Sequence, residues 1–517
     1  MRRILLSANY DIAVVGSGFA GSLLAMIARR QGRSVVLLER GRHPRFAIGE
    51  SSTPISNLLL EELSIRYGLP ALTPLAKWGT WQKTYPDIGC GLKRGFTFYH
   101  HETGQRAGRD PQRRDQLLVE ASPHDAIADT HWYRADVDAL FVREARNIGV
   151  EYFDEVELQS AVEGAGEVRL EGTRLGEKVA YSARFVVDAT GPRGFLHRAF
   201  GLPELALPDF PRTEALFTHF RGVRRLEGMT GETPPYPVDD AAVHHVFDGG
   251  WIWVLRFNNG ITSAGVAATS SLAARIGFSD GAAAWERLIE DFPTVRDQFA
   301  EATVERPFVH APRLSFRSGV IAGKRWALLP SVAGFVDPLL STGFPLVLLG
   351  VSRLAEIFER DWESSRFGAA LSGYAAQTER ELIATAGLIG SLYSSMANFP
   401  LFTSLSLLYF AAASFSETAR RLGKLHLGGS FLLCDDPAFK LQPLLERARR
   451  LRSSDESRAL GDDILRAIEP FNVAGLGEER RRNWYPADAE DLLQAAPKLG
   501  AQRDDIARLL IRSGFDP

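Results

Sequence analysis

Gly16-Ser17-Gly18-Phe19-Ala20-Gly21 is a GxGxxG run, the spacing that turns a strand tightly into a helix and brings backbone against a pyrophosphate. Gly16 permits the turn, Gly18 the close approach and Gly21 the packing of the helix. The free N–H groups and positive dipole end of such a helix attract phosphate. Glu39 stands 18 residues beyond Gly21, where a carboxylate can accept from ribose hydroxyls and repel a 2′-phosphate. These features suit NAD and FAD alike. Trp251 and Trp253, in Gly250-Trp251-Ile252-Trp253-Val254-Leu255-Arg256, fall on one face of a strand by period-two alternation. Thr342 and Gly343 close Pro338-Leu339-Leu340-Ser341-Thr342-Gly343. Adjacent N–H groups opening a helix there would make an anion nest. Lys93, in Lys93-Arg94-Gly95-Phe96-Thr97-Phe98, becomes a nucleophile if buried, because burial disfavours the ammonium form.

These residues need elements to hold them. Residues 11–15 form an apolar strand, 16–21 the turn, 22–30 a helix, 31–33 a break and 34–38 a second strand, which together make a βαβ unit. Alternating stretches at 213–223, 242–247, 251–257 and 262–268 read as strands, with Asp248-Gly249-Gly250 and Asn258-Asn259-Gly260 as hairpin turns. Further strands are expected at 182–188 and 324–329, and a helix from Pro345. Beyond about residue 376 the chain reads as helical, with charged amphipathic stretches at 437–452 and 488–513. The expected class is α/β: a Rossmann-type nucleotide-binding domain over 1–375, with an inserted antiparallel substrate sheet near 85–125 and 203–305, and a helical C-terminal region over 376–517.

The 517 residues carry a formal charge of −3, with 45% hydrophobic and 24% charged residues. That is ordinary for a folded soluble chain and argues against a nucleic-acid surface. Two cysteines, Cys90 and Cys434, exclude a disulfide scaffold and a cysteine zinc site and fit a reducing, cytoplasmic setting. The pairs His100-His101 and His244-His245 lack the i, i+4 spacing of a helical metal site, so no metal is expected. Met1-Arg2-Arg3-Ile4-Leu5-Leu6 is basic then apolar, but Asp11 ends the apolar window too early for a signal-peptide core. Residues 382–416 carry no charge, and Pro400 splits them. Two buried core helices are the favoured reading over contact with a membrane.

Motifs spread along the chain favour FAD, which needs cradles from several distant segments. They are Glu39-Arg40 followed by Arg42 and Arg45, Gly49-Glu50-Ser51-Ser52-Thr53-Pro54, Tyr133-Arg134-Ala135-Asp136-Val137-Asp138, Phe185-Val186-Val187-Asp188-Ala189-Thr190-Gly191 and Val332-Ala333-Gly334-Phe335-Val336-Asp337-Pro338. In this combination residues 10–375 resemble the flavin-dependent halogenases, within the aromatic flavoprotein monooxygenases. The resemblance implies that Gly16, Gly18, Gly21 and Glu39 hold the adenosine and pyrophosphate, with Arg40, Ser51, Arg134 and Asp337 along the rest of FAD. It implies that Trp251 and Trp253 wall the flavin from the substrate. It implies a halide at Thr342 and Gly343, and a halogen-delivering lysine. Lys93 is the first choice for that lysine, and Lys77 and Lys83 are its rivals. Reduced flavin would come from a separate reductase, since no second nucleotide fingerprint is visible. The substrate would be an electron-rich aromatic or apolar molecule, free or carrier-bound.

The chain departs from the halogenases at two points. Leu340 replaces the glutamate of tryptophan-specific members, which argues against free tryptophan as substrate. Leu255-Arg256 replaces Ile-Pro after the tryptophans, and the arginine is expected to reshape the tryptophan wall. Leu329-Pro330-Ser331 stands where many FAD monooxygenases have Gly-Asp, a loss that tryptophan halogenases share. The change at Arg256 leaves a second expectation beside halogenation, an FAD monooxygenase or reductase acting on an apolar substrate.

Overall fold

The computed structural model describes residues 5–226, 233–451 and 453–515. Met1 to Ile4, the start of the segment weighed as a signal peptide, lie outside the described residues. A seven-stranded sheet forms the nucleotide half, with Glu151–Phe153, Val35–Leu38, Leu5–Val15 and Glu177–Asp188 side by side. Leu5–Val15 runs parallel to both Val35–Leu38 and Glu177–Asp188, and Trp326–Leu328 adds in parallel to Glu177–Asp188. Val168–Arg174 and Val156–Glu163 complete it as an antiparallel hairpin. The central strands are apolar on both faces because helices cover both.

The inserted sheet is mixed, whereas the sequence reading expected it to be antiparallel throughout. Ala242–Phe247 pairs in parallel with Gly95–His100. The two strands come from distant parts of the chain, so no tight hairpin forces their directions to oppose. Gly250–Arg256, Thr262–Thr269 and Thr213–Arg221 follow in antiparallel order. At the other side Trp484–Tyr485 pairs with Gln116–Glu120, so the C-terminal region also contributes to this sheet.

Alternation divides the sheet's side chains between two cores. Phe96, Phe98, Trp251, Trp253, Leu255, Ala267 and Phe217 join the main core shared with the nucleotide half. Ile252, Val254, Val266 and Leu216 join a second core with Trp285, Phe292 and Phe299, which lie on or beside the outer helices Ala282–Glu290 and Pro293–Phe299.

The expected boundary at 375/376 falls inside a 29-residue helix, Phe367–Ser395. The uncharged stretch becomes the end of this helix and most of Phe399–Arg421, which is capped by Asn398 and has Pro400 in its first turn. A proline is tolerated there because its missing N–H has no intrahelical partner. Leu339–Arg360 and Phe399–Arg421 are long and apolar enough to cross a membrane, but 72% and 78% of their apolar windows are buried against protein.

Candidate functional site

The helix Phe19–Arg30 opens directly from the glycine turn. Gly16 has φ +100°, and a Cβ there would lie 2.6 Å from the Ala189 carbonyl oxygen. At Gly21 a Cβ would meet the Gly16 carbonyl at 2.1 Å. At Gly18 the nearest atoms to such a Cβ are guanidinium and carboxylate ends, with Arg134 Nη2 at 3.3 Å and Arg45 Nη2 at 4.0 Å. Two guanidinium groups, accompanied by the Asp138 carboxylate at 3.8 Å, therefore converge at the helix start on a glycine that no backbone atom crowds. This fits the pyrophosphate of FAD.

Glu39 lies at the rim of this turn. Its Oε2 accepts from Ser17 N at 3.0 Å and Ser17 Oγ at 2.9 Å, and its Oε1 from Gly41 N at 2.8 Å. Arg45 pairs with it at 3.2 Å. Burial pushes the carboxyl up, but Arg45 and the Gly41 and Ser17 donors outweigh that and hold it below the usual range. Arg134 is gripped by Asp138 through two 2.9 Å bonds, and its Nη1 donates to the Ile48 and Gly49 carbonyls. Asp138 also accepts from Phe19 N at 3.1 Å, which joins this pair to the helix start. Arg40 is exposed.

A second helix begins at the same end of the molecule. Phe344, in the first turn of Gly343–Arg360, stacks on Phe19 with centroids 4.8 Å apart. At the other end Gln31 and Arg33 donate to the carbonyls of Ala355 and Phe358. The two helices are therefore parallel and in step, with their N-termini adjacent. Leu340 and Ser341 lead into the second one at φ +63° and +55°, a left-handed turn of the kind that aims successive N–H groups at an anion. Thr342 is buried, whereas Gly343 is exposed and a Cβ there would touch nothing within 4 Å.

Trp251 and Trp253 lie on the inner face with centroids 5.7 Å apart. Trp251 stacks on His244, and His244 on Phe98, at 5.2 and 4.3 Å. Trp251 Nε1 donates to Asp337 Oδ1 at 3.2 Å, and Tyr393 donates its hydroxyl to Asp337 Oδ2 at 2.9 Å. Leu339 N also donates to Oδ1, at 3.0 Å. The Asp337 carboxyl is thus 2% exposed and engaged by protein donors on both oxygens, and burial pushes it up to about 7. It secures the tryptophan wall to the segment before Thr342. Arg256 points to the opposite face. It pairs with buried Asp239 at 2.8 Å and donates to the carbonyls of Val223 and Arg224. The expectation that it would reshape the tryptophan wall is corrected by the pleat itself, because residues 251 and 256 differ by an odd number.

Lys93 is fully buried. Its Nζ donates to Ser51 Oγ at 3.0 Å and to the Ser52 carbonyl at 2.5 Å, and lies 3.9 Å from the Phe96 ring centroid. Ser51, expected along the cofactor, therefore reaches this lysine with its side chain. Across the antiparallel pair Cys90–Lys93 and Asp129–Trp132, Lys93 faces Asp129 in register. Burial moves the two in opposite directions, the lysine well down and the aspartate well up, and their mutual attraction opposes both shifts. His131 and His244 are driven down to about 3 by burial and by the nearby lysine, so both are neutral rings at physiological pH. Of the rival lysines, Lys83 is exposed and Lys77 is half-buried.

A cavity of about 170 Å³ adjoins this group, lined by Phe96, Asn57, Asp129, Tyr409, Phe410 and Lys77 among others. Tyr409 and Phe410 come from the uncharged part of the helix Phe399–Arg421. Three working residues were not singled out in the sequence: Asp129, Asn57 and Tyr393. They meet their partners only through strand register or long-range packing. The i, i+4 spacing of Arg134 and Asp138, within the motif named for the cofactor, is by contrast a legible signal on a helix.

A family model described as "FAD dependent oxidoreductase" matches residues 11–308. Monodechloroaminopyrrolnitrin halogenase PrnC of Pseudomonas fluorescens is 29% identical over 359 residues, which cover 68% of this chain and 61% of that protein. Tetracycline 7-halogenase of Kitasatospora aureofaciens is 28% identical over 423 residues, covering 78% of this chain and 73% of that one. Among solved structures, halogenase PltM in complex with phloroglucinol and FAD superposes with a TM-score of 0.79 at 22% identity, over 92% of this chain and 99% of the other.

Proposed function

From the premise that this chain belongs to the FAD dependent oxidoreductase family, matched over residues 11–308, we propose that it is a flavin-dependent halogenase of compact, electron-rich aromatic rings. The observation that carries this reading is the enclosed amine of Lys93. It lies between Ser51 and Ser52 of the cofactor-side loop and Phe96 of the cavity wall.

Gly16, Gly18, Gly21, Glu39, Arg45 and Arg134 would hold the nucleotide of FAD, and Thr342 and Gly343 the halide beside it. Bound and reduced, FAD supplies the dioxygen activation that converts halide to hypohalous acid. Trp251 and Trp253 keep the ring substrate away from that oxidation. Lys93 then acts on the hypohalous acid. A neutral amine has two N–H donors for Ser51 Oγ and the Ser52 carbonyl and keeps its lone pair free. The lone pair forms a nitrogen–halogen bond as the oxygen–halogen bond breaks, and the departing hydroxide takes a proton from nitrogen to give water. The ring carbon next takes the halogen, the nitrogen–halogen bond breaks, and the amine receives the proton the ring releases. Burial, which holds the lysine low, makes that lone pair available near neutral pH.

The test is product analysis by mass spectrometry. Purified protein is supplied with FAD, a flavin reductase, chloride or bromide, and a panel of phenols, anilines and pyrroles. A halide-dependent halogenated product is expected. Halide-independent hydroxylation or reduction would establish the other flavoprotein activity and overturn this one.

A further inference from the structure

The cavity lined by Phe96 and Asp129, though not by Lys93 itself, contains two acceptors with no partner among the described residues. Asn57 Nδ2 donates to Asp129 Oδ1 at 2.7 Å. The other two oxygens of this pair, Asp129 Oδ2 and Asn57 Oδ1, are buried without a hydrogen-bond partner among the described residues. Both side chains line the cavity, and Asp129 is 4% exposed. A buried acceptor without a donor is unfavourable. Two on touching side chains at one cavity suit an occupant that brings donors. Much of the surrounding wall is carbon: Leu58, Phe96, Tyr409, Phe410 and Ala413. Of the charged groups lining it, Arg421 pairs with Glu417 at 2.7 Å and Glu120 with Arg94 at 2.5 Å, while Lys77, Glu61 and Asp488 lie elsewhere on its wall. The volume of about 170 Å³ compares with the roughly 150 Å³ that accommodates benzene in an engineered cavity. That volume suits an occupant of one ring with small substituents.

We infer that Asp129 and Asn57 form a donor-recognition subsite. Asp129 Oδ2 and Asn57 Oδ1 accept the O–H or N–H groups of a single-ring phenol, aminoarene or pyrrole, and hold that ring against Phe96 beside Lys93. Strand register fixes Asp129 opposite Lys93, so recognition and halogen delivery sit on one rigid pair of strands. A hydrogen bond from a ring hydroxyl to the ionised Asp129 carboxylate also pushes electron density into the ring, which favours attack on an electrophilic halogen. The inference rests on the halogenase reading for its chemistry, though its test needs no turnover.

Resorcinol and 1,3-dimethoxybenzene are titrated into the flavin-loaded protein by calorimetry, without halide or reductant. The two probes share a ring, and only the first has donors. Resorcinol is expected to bind at least ten-fold more tightly. Asp129→Asn is expected to weaken resorcinol at least ten-fold and to leave the dimethoxy ring within two-fold. Equal affinity of the two rings for the unaltered protein overturns the subsite, as does failure of resorcinol to bind or an unchanged affinity in Asp129→Asn. The comparison of the two rings stands even if the variant does not fold. Donor-dependent binding beside a failed halogenation assay would remove the proposed reaction and keep the subsite. Donor-independent binding beside successful halogenation would do the reverse.

Discussion

Trp251 Nε1 and Asp337 Oδ1, 86 residues apart in the chain, are joined by a 3.2 Å hydrogen bond inside the core. The bond fastens the inner face of the inserted sheet to the segment that turns into the helix Gly343–Arg360. Tyr393 completes the node from a third element, the helix Phe367–Ser395. Three parts of the fold thus meet on one carboxyl group, and the first prediction concerns its loss.

Trp251→Phe removes the donor and part of the ring volume. Asp337 keeps the Leu339 and Tyr393 donors, so the cost is expected to be about 1–3 kcal/mol, seen as a lower midpoint in urea unfolding. Halogenation is expected to fall further than flavin affinity, because the wall moves while the glycine turn stays intact.

Burial raises Asp337 to about 7 in the fold, against roughly 3.9 for an unfolded aspartate. The folded state therefore keeps this proton to higher pH. The associated stability is complete below about pH 4 and is lost as pH rises through about 7. Asp337→Asn cannot ionise and can keep its place in the node. Its melting temperature relative to the unaltered protein is expected to climb between pH 4 and pH 8, and a flat difference would contradict the buried proton.

Lys93→Met replaces the amine with an apolar chain of similar length. Product formation is expected to fall at least ~100-fold, in the range of positioned proton-transfer and nucleophilic groups. Oxidation of reduced flavin, followed by absorbance, is expected to continue, because none of the glycine-turn contacts involves this residue.

The glycines separate by what a methyl group would strike. Gly21→Ala would drive a Cβ to 2.1 Å from the Gly16 carbonyl oxygen, so loss of bound flavin and of soluble yield is expected. Gly343→Ala meets nothing within 4 Å. It is expected to fold and bind flavin normally while raising the KM for halide several-fold, because the methyl projects in front of the helix N–H groups.

Arg256→Met leaves Asp239 buried without its cation. The expected loss is about 3 kcal/mol of stability, measured by denaturant unfolding. The ratio of halogenated to oxygenated products is expected to stay the same, since the arginine lies on the face away from Trp251 and Trp253.

Local features were legible where chemistry and spacing coincide. The glycine turn, Glu39 and the strands carrying Trp251 and Trp253 each lie within one or two elements. Period-two alternation also contains the answer for Arg256, whose odd separation from Trp251 sends it to the outer face. Asp129 could not be picked out in the same way. Its importance comes from register against Lys93, 36 residues earlier, and from an Asn57 that arrives on a third element. The same holds for Tyr393 and for the parallel pairing of Gly95–His100 with Ala242–Phe247. Such relations depend on tertiary closure, which no local pattern encodes. The residue types were conspicuous at Lys93 and Asp337, but their partners were not.

The in-step helices Phe19–Arg30 and Gly343–Arg360 have a consequence for the flavin-free protein. Parallel helices place like partial charges side by side at both ends, so the paired N-termini repel one another across the Phe19–Phe344 contact. Anions held at the two N-termini, pyrophosphate at one and halide at the other, would convert that repulsion into two attractions. Cofactor and halide would then clamp the seam as well as react there, and the empty chain is expected to be loosest where its own chemistry begins.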